Sequence, residues 1–150
     1  MWKNTRVRIT TIVLGLLIII QLIPVKKYSG EDDPSKDILS VEKADDHVKG
    51  ILKNACYDCH SIKTEYPWYG NIAPVSWWIV HHVNEGREHL DFSSWTDYDA
   101  KKRDHKLEEL AEEVEEGEMP LGSYMWMHEN ARLSEEERKA LSVWANNLRK

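Results

Sequence analysis

Cysteine is scarce in this chain of 150 residues, and its two cysteines stand in one short unit. That placement leaves no cysteine for a disulfide framework. A structural zinc site needs about four ligands, and no second Cys-x-x-Cys pair is present to complete one. Phenylalanine is scarcer still, with one residue against seven Trp and six Tyr. Large side chains with a polar end suit a pocket around an amphipathic ligand as well as a small core.

The chain also lacks strand-like alternation and internal repeats, and beyond its first residues acidic side chains outnumber basic ones. Residues 1–27 carry five Lys or Arg and no acid, so the total of −6 leaves the remaining residues at −11. Phosphate contacts need clustered Lys and Arg, which argues against nucleic acid as a partner. A basic head before an acidic body favours a membrane-proximal terminus and one domain outside the membrane.

The N-terminal segment is typical of an export signal, because the apolar stretch from Ile9 to Val25 follows three basic residues. It just reaches the roughly 17 to 25 residues that cross a bilayer core. No Ala-x-Ala cleavage pattern follows it, so residues 1–27 are predicted to remain as an anchor rather than to be cleaved. The charge bias places the N-terminus in the cytoplasm and the body in the periplasm, although Lys26 and Lys27 weaken that bias.

A polar linker is predicted at residues 28–37, and residues 38–150 are interpreted as one all-α domain of about four helices. Proline at a helix start, Gly117 as a C-cap and a Ser134-x-x-Glu137 capping box mark helix ends. The predicted helices run from about Ser40 to Ala55, Pro74 to Leu90 and Tyr98 to Glu116, and from Ser134 onward.

Each predicted helix has one face with the spacing of an inward-facing stripe. The four faces are Val48, Ile51, Leu52 and Ala55; Trp77, Val80, His81 and Asn84; Leu107, Leu110, Ala111 and Val114; and Leu141, Trp144, Ala145 and Leu148.

The cysteine unit is Cys56-Tyr57-Asp58-Cys59-His60, the signature of covalent haem attachment. Each thiol adds its S–H across one vinyl group of haem to form a thioether, and the adjacent histidine ligates the iron. A thioredoxin-like redox pair would need a strand and a βαβ unit, which the sequence does not offer. The motif therefore predicts one haem c, bound through Cys56 and Cys59, with His60 as an axial iron ligand.

A wider set of residues resembles the haem-binding domain family common in Bacteroidetes, over roughly residues 42–148. The resemblance implies a single-haem c-type domain with a cytochrome c-like helical plan. Asp91 stands where that family usually has Asn. The residues that carry the resemblance are Ser61, Tyr66-Pro67-Trp68-Tyr69, Ile72, Pro74, Ser76-Trp77-Trp78, His82, Gly86-Arg87, Phe92-Ser93, Trp95, Gly117-Glu118-Met119-Pro120, Tyr124, His128, Ala131-Arg132-Leu133, Leu141 and Trp144-Ala145.

The second iron ligand is predicted to be Met119, from the Gly-x-Met-Pro segment, since a thioether at this position is common in small cytochromes c that the domain is similar to. Thioether ligation favours ferrous iron and raises the reduction potential. His128 in the same loop is the main rival, followed by the pair His81 and His82. Met125 and Met127 are weaker candidates, and His47, His89 and His105 are interpreted as solvated.

A ligating histidine usually donates its other ring N–H to a carbonyl oxygen, and Pro67 or Pro74 is expected to provide it. Five further side chains are candidates for the haem wall or for propionate contacts: Trp68, Tyr69, Trp77, Arg87 and Tyr124.

Seven glutamates crowd toward Met119, as a solvated face or as a docking patch for a basic redox partner. They are Glu108, Glu109, Glu112, Glu113, Glu115, Glu116 and Glu118.

The leading functional expectation is electron transfer between redox proteins outside the cytoplasm, by a cytochrome anchored in the inner membrane and without enzymatic activity. The first alternative is a haem peroxidase or gas sensor with an open distal site and His128 as acid or base. The second is a structural haem subunit of a larger membrane complex.

Overall fold

The computed structural model describes residues 2–28 and 30–149, and over these ranges the protein is all-α, without a strand. The predicted fold class is confirmed. The helices are α1 Trp2–Ile19, α2 Ile38–Val41, α3 Asp46–Ala55, α4 Tyr57–His60, α5 Val75–His89, α6 Ala100–Glu116, α7 Gly122–Met125 and α8 Glu135–Leu148. Short 3-10 segments lie at Ile20–Leu22, Pro34–Lys36, Trp68–Asn71, Phe92–Asp97 and Glu129–Ala131.

The core forms where α3, α6 and α8 pack together beside the 3-10 segment Phe92–Asp97. The predicted stripes of these three helices are buried as expected, except that Leu148 is only partly buried. Trp95 and Phe92 are the largest fully buried side chains, so the residues just after α5 anchor the centre of the domain.

The first predicted helix is interrupted, because the chain is extended at Glu42 before α3 begins at the Asp45 cap. Two buried indoles hold the break: Trp95 Nε1 donates to Glu42 Oε1 and Trp144 Nε1 donates to the Lys43 carbonyl, both at 2.9 Å. The prediction of one helix from Ser40 was therefore wrong, because these tertiary hydrogen bonds are invisible to helical periodicity.

The predicted signals at two helix ends are confirmed. Gly117 ends α6 with φ of 82°, a left-handed conformation that glycine adopts without a side-chain clash. The Ser134 and Glu137 pair begins α8 with both bonds of a capping box. These ends fix where the loop between α6 and α8 leaves and rejoins the core.

The predicted inner face of α5 is only partly confirmed, since of its four residues Val80 is buried and Trp77 is half-buried. Ser76, Val80 and Val83 are buried, whereas His81 and Asn84 are exposed. The predicted face is displaced because α5 is only weakly amphipathic and uses a second, largely polar face around a cavity.

Two residues of α8, one buried and one exposed, provide a test of the core. Leu141 is fully buried and Val143 is 49% exposed on the same helix. Leu141→Ala should lower the free energy of unfolding by about 2–5 kcal/mol, because it leaves a cavity. The exposed control Val143→Ala should change it by no more than about 0.5 kcal/mol. Chemical denaturation measures both, and equal effects would contradict the assignment of this core face.

Candidate haem-binding site

The turn that carries the cysteine motif lies tightly against α5. A Cβ added at Gly86 would come within 2.9 Å of the Cys59 carbonyl oxygen and 3.3 Å of Cys59 Cβ. Real Cβ atoms essentially never approach another heavy atom at the shorter distance. Only glycine fits here, and its absence of a side chain lets α4 and α5 meet backbone to backbone.

The His60 ring is oriented by the backbone that follows α5. Its Nδ1 lies 2.9 Å from the Leu90 carbonyl oxygen, and the ring lies 5.9 Å from the Phe92 ring, centroid to centroid. A carbonyl only accepts hydrogen bonds, so the ring proton is on Nδ1 and the Nε2 lone pair is free. Burial lowers the pKa of His60, which favours the neutral form that binds a metal.

The expected carbonyl partner of His60 was wrong, since Leu90 and not Pro67 or Pro74 provides it. The two proline carbonyls accept backbone N–H groups of their own turns, from Gly70 at Pro67 and from Trp77 at Pro74. They are occupied by local structure and are not available to the histidine.

One cavity of about 520 Å³ unites the predicted haem ligands. Its volume lies within the roughly 300–1,000 Å³ typical of cofactor sites. The predicted site residues Cys56, Cys59, His60 and Met119 all line it. The apolar part of the lining consists of Ala55, Leu90, Phe92, Leu110, Val114, Pro120, Leu121 and Leu133. This combination of two thiols, an imidazole, a thioether and an apolar wall fits haem.

The two thiols are not activated as a redox pair would be. Burial raises the pKa of Cys56 to about 12 and that of Cys59 to about 11. Dithiol oxidoreductases instead lower the pKa of the attacking thiol. Within residues 2–28 and 30–149, no group of three or more His, Cys, Asp or Glu side chains is arranged to hold a bare metal ion.

Met119 is held on the cavity wall by its backbone. Its N–H donates to the Glu113 carbonyl at 3.1 Å, and its own carbonyl accepts from Arg138 Nη1 at 2.9 Å. The same Arg138 nitrogen donates to the Val114 carbonyl at 2.8 Å. Arg138 of α8 therefore ties the end of α6 to the residue that carries the thioether.

Tyr124 connects the Met119 loop to the cysteine motif. Its hydroxyl donates to Asp58 Oδ2 at 2.7 Å, and its side chain lines the cavity. His128 stacks on the Tyr124 ring at 4.0 Å and its Nδ1 lies 3.0 Å from the Tyr124 carbonyl. His128 lines a separate, more polar groove and not the cavity.

A polar face of α5 forms one side of the cavity, at His82, Glu85, Gly86 and His89. His82 was a candidate ligand, but His89 had been interpreted as solvated and Glu85 was not considered. Their i, i+3, i+4, i+7 spacing is a helical face, and that pattern was a signal available in the sequence. His81 does not line the cavity, and its Nε2 lies 3.2 Å from Glu85 Oε2.

Among the other wall candidates only Tyr124 lines the cavity. Arg87 instead pairs with Asp91 at 2.9 Å and lies 3.4 Å from the centre of the Tyr28 ring. Asp91 thus gives Arg87 a charged partner. Trp68, Tyr69 and Trp77 are likewise outside the cavity lining.

Gly86→Ala should damage the site selectively. The added methyl group meets the Cys59 carbonyl, and such overpacking costs about 1–3 kcal/mol. We expect less haem in the purified protein, measured as haem absorbance per polypeptide. Gly50→Ala in α3 is the matched control, because its Cβ would meet nothing within 4 Å. Equal haem content in both variants would show that the close approach is not required.

Comparison with known sequences supports the same cofactor. The chain matches the haem-binding domain family over residues 15–147, whereas the resemblance noted above begins at about residue 42. No curated protein and no solved structure matches the chain. Since the family match covers most of the chain and the cavity fits the cofactor, this protein belongs to the haem-binding domain family.

Proposed function

We propose that the protein is a membrane-anchored c-type cytochrome that transfers electrons and carries out no catalytic reaction. The observation that carries this proposal is the convergence of Cys56, Cys59, His60 and Met119 on one cavity. Bound haem supplies an iron that alternates between ferric and ferrous states. The protein residues hold, orient and enclose that group.

Covalent attachment is the first part of the proposal. Cys56 and Cys59 lie at the two ends of one turn, in which the Cys59 and His60 N–H groups both donate to the Cys56 carbonyl, at 3.1 and 2.9 Å. This turn would present both thiols to the two haem vinyl groups. His60, with Nδ1 bound to Leu90, keeps Nε2 for the iron.

Met119 is the proposed second ligand, because it shares the cavity with His60 and its backbone is held at both its N–H and its carbonyl. A ligand fixed in this way needs little reorganisation when the iron changes charge. His82 is the competing ligand, since it also lines the cavity and its Nδ1 is engaged by the Trp78 carbonyl at 2.8 Å. His128 is disfavoured, because Tyr124 separates it from the cavity.

Electron transfer is favoured over peroxidase or gas-sensor activity for the same reason. A six-coordinate iron leaves no position for peroxide or a gas. The residue considered as acid or base, His128, stacks on the outer side of Tyr124. His82 and His89 do line the cavity, so the preference for electron transfer rests on the proposed filling of both axial positions.

Anchoring in the inner membrane with a periplasmic haem domain is the third part of the proposal. The window Asn4–Leu22 has a mean hydropathy of 1.7 and none of it is buried against the rest of the protein. Lys27, which had weakened the charge bias, donates to Asn71 Oδ1 at 2.6 Å and lies 4.4 Å from the Tyr66 ring centre. Lys27 keeps its positive charge in these contacts, so the proposed orientation rests on the three basic residues that precede the apolar stretch.

The proposed partner is a redox protein with a basic docking face. Glu85, Glu109 and Glu113 lie on the cavity lining, and Glu112 and Glu116 are exposed on α6. Negative charge around the site would steer a positively charged partner toward the haem at low ionic strength.

Removing the thiols tests covalent attachment. Haem should stay on the wild-type polypeptide in acidic organic solvent and appear in its intact mass. Cys56→Ala and Cys59→Ala should each retain one thioether, and the double variant should release all haem. Met127→Ala, at an exposed position of the Met119 loop, is the control that should behave as wild type. Complete extraction of haem from the wild type would refute a c-type attachment.

Carbon monoxide tests electron transfer against reactive haem. The ferrous protein should have a low-spin spectrum that carbon monoxide leaves unchanged, because both axial positions are filled. Met119→Ala should open one position, lower the reduction potential and make the spectrum sensitive to carbon monoxide. Met127→Ala should change none of these.

Two results would contradict this assignment. Carbon monoxide binding by the wild type would refute the closed site and favour the reactive alternative. An unchanged Met119→Ala spectrum, with a changed His82→Ala spectrum, would transfer the ligand role to His82.

A further inference from the structure

Four exposed apolar side chains form a patch between the cysteine motif and the middle of α5. We call Trp68, Ile72, Val75 and Trp78 the interfacial patch. Trp68 is 76% exposed and Val75 is 42% exposed, and the other two are also exposed. A concentration of exposed tryptophan and β-branched residues usually marks a surface that meets another apolar phase.

The backbone beside the interfacial patch is bonded to the 3-10 segment Ile20–Leu22, which follows α1. Gln21 Nε2 donates to the Ala73 carbonyl at 3.0 Å, and the Ala73 N–H donates to Gln21 Oε1 at 2.9 Å. Ala73 stands between Ile72 and Val75. The Gln21 side-chain amide thus forms two hydrogen bonds with the Ala73 backbone, beside the patch.

A second contact strengthens this junction. Lys27 donates to Asn71 Oδ1, in the same loop as Trp68 and Ile72. Leu22 and Ile23, which follow Gln21, are exposed as well and extend the apolar surface. The family match also begins at residue 15, so it includes this junction together with the haem site.

The position of the patch identifies its partner. The apolar window ends at Leu22 and the apolar stretch of the sequence ends at Val25, so in the proposed anchored state the periplasmic boundary of the hydrocarbon lies within a few residues of Gln21. Tryptophan is the side chain that favours this boundary, since its ring is apolar and its N–H is polar. We propose that the interfacial patch inserts into the lipid surface on the periplasmic side, which rests on the membrane anchor proposed above.

The consequence is a short distance between the haem cavity and the lipid surface. The Trp78 ring lies 4.3 Å from the His82 ring, and His82 lines the cavity. These residues are four positions apart on α5, about 6 Å along the helix axis. The cavity therefore begins about one helical turn along α5 from the interfacial patch, which would keep it near a redox partner in the same membrane.

The protein provides a matched comparison in Trp126. It is 79% exposed, nearly the same as Trp68, but it lines the polar groove with Lys49, Lys53 and Lys63. No hydrogen bond connects that groove to α1 among the described residues. If exposure alone decided lipid contact, Trp68 and Trp126 would contact lipid equally, whereas the proposed insertion brings only Trp68 into the lipid.

The test uses the full haem-loaded chain, labelled with fluorotryptophan, reduced and reconstituted in lipid nanodiscs. Trp68→Phe and Trp126→Phe assign the two fluorine NMR signals. Lipids with a nitroxide near the headgroup end of the acyl chain should broaden the Trp68 signal and leave the Trp126 signal sharp. The buried Trp95, assigned by Trp95→Phe, should also stay sharp.

A pair of valines provides the second variant. Val75→Glu places a charge in the patch and should reduce the broadening of Trp68. Val143→Glu, at a position of similar exposure on α8, should leave it unchanged. Both substitutions lie on exposed surface, so the fold is expected to survive them.

The possible outcomes separate this inference from the anchor. Flotation of the chain with liposomes after a carbonate wash reports anchoring independently. Failure to float would refute the anchor and this inference with it. Flotation with a Trp68 signal as sharp as that of Trp126 would refute the inference alone.

Discussion

The close contact between Gly86 and the Cys59 backbone is the constraint on which the rest of the site depends. It sets the distance between the cysteine turn and α5, and hence brings the His60 ring to the Leu90 carbonyl just after that helix. Phe92 and Trp95, which follow at once, fill the centre of the core. The orientation of His60, the proposed axial ligand, is thereby coupled to the packing of the whole domain.

The opposite wall of the cavity, which carries Met119, is held by hydrogen bonds between residues far apart in the sequence. Arg138 reaches from α8 to the Met119 carbonyl, and Tyr124 reaches from α7 to Asp58 within the cysteine motif. The two walls are thus linked directly, as well as through any group bound between them. A preorganised cavity of this kind lowers the entropic cost of holding His60 and Met119, the two proposed axial ligands, in place.

Much of the fold was predictable, because α3, α6 and α8 each bury a single apolar face. The buried face of α5 was not predictable, since this helix divides its surface between the core and a cavity lined by His82, Glu85 and His89. The break before α3 was not predicted for a related reason, because it depends on indole hydrogen bonds from tryptophans that are distant in the sequence. Local periodicity carries no information about such partners.

The site shows the same division between local and tertiary information. The five residues from Cys56 to His60 identify their cofactor by chemistry alone, and the family match agrees. The carbonyl that orients His60 could not be read from the sequence, because it requires knowing that Leu90 passes behind the ring. Likewise, Met119 and His128 occupy one loop, and only the stacking of His128 on the outer side of Tyr124 distinguishes their surroundings.

The charges around the cavity oppose the proposed ligand. A methionine thioether stabilises ferrous iron and raises the potential, whereas carboxylates near the iron stabilise the more positive ferric state. Glu85 and Glu113 are exposed, so water and salt screen their charges. Glu109 is partly neutralised by Lys106 at 2.6 Å. In the proposed six-coordinate state, direct coordination by the Met119 thioether would act without screening and would outweigh the acidic rim in setting the potential, while the rim would act mainly on the approach of a partner.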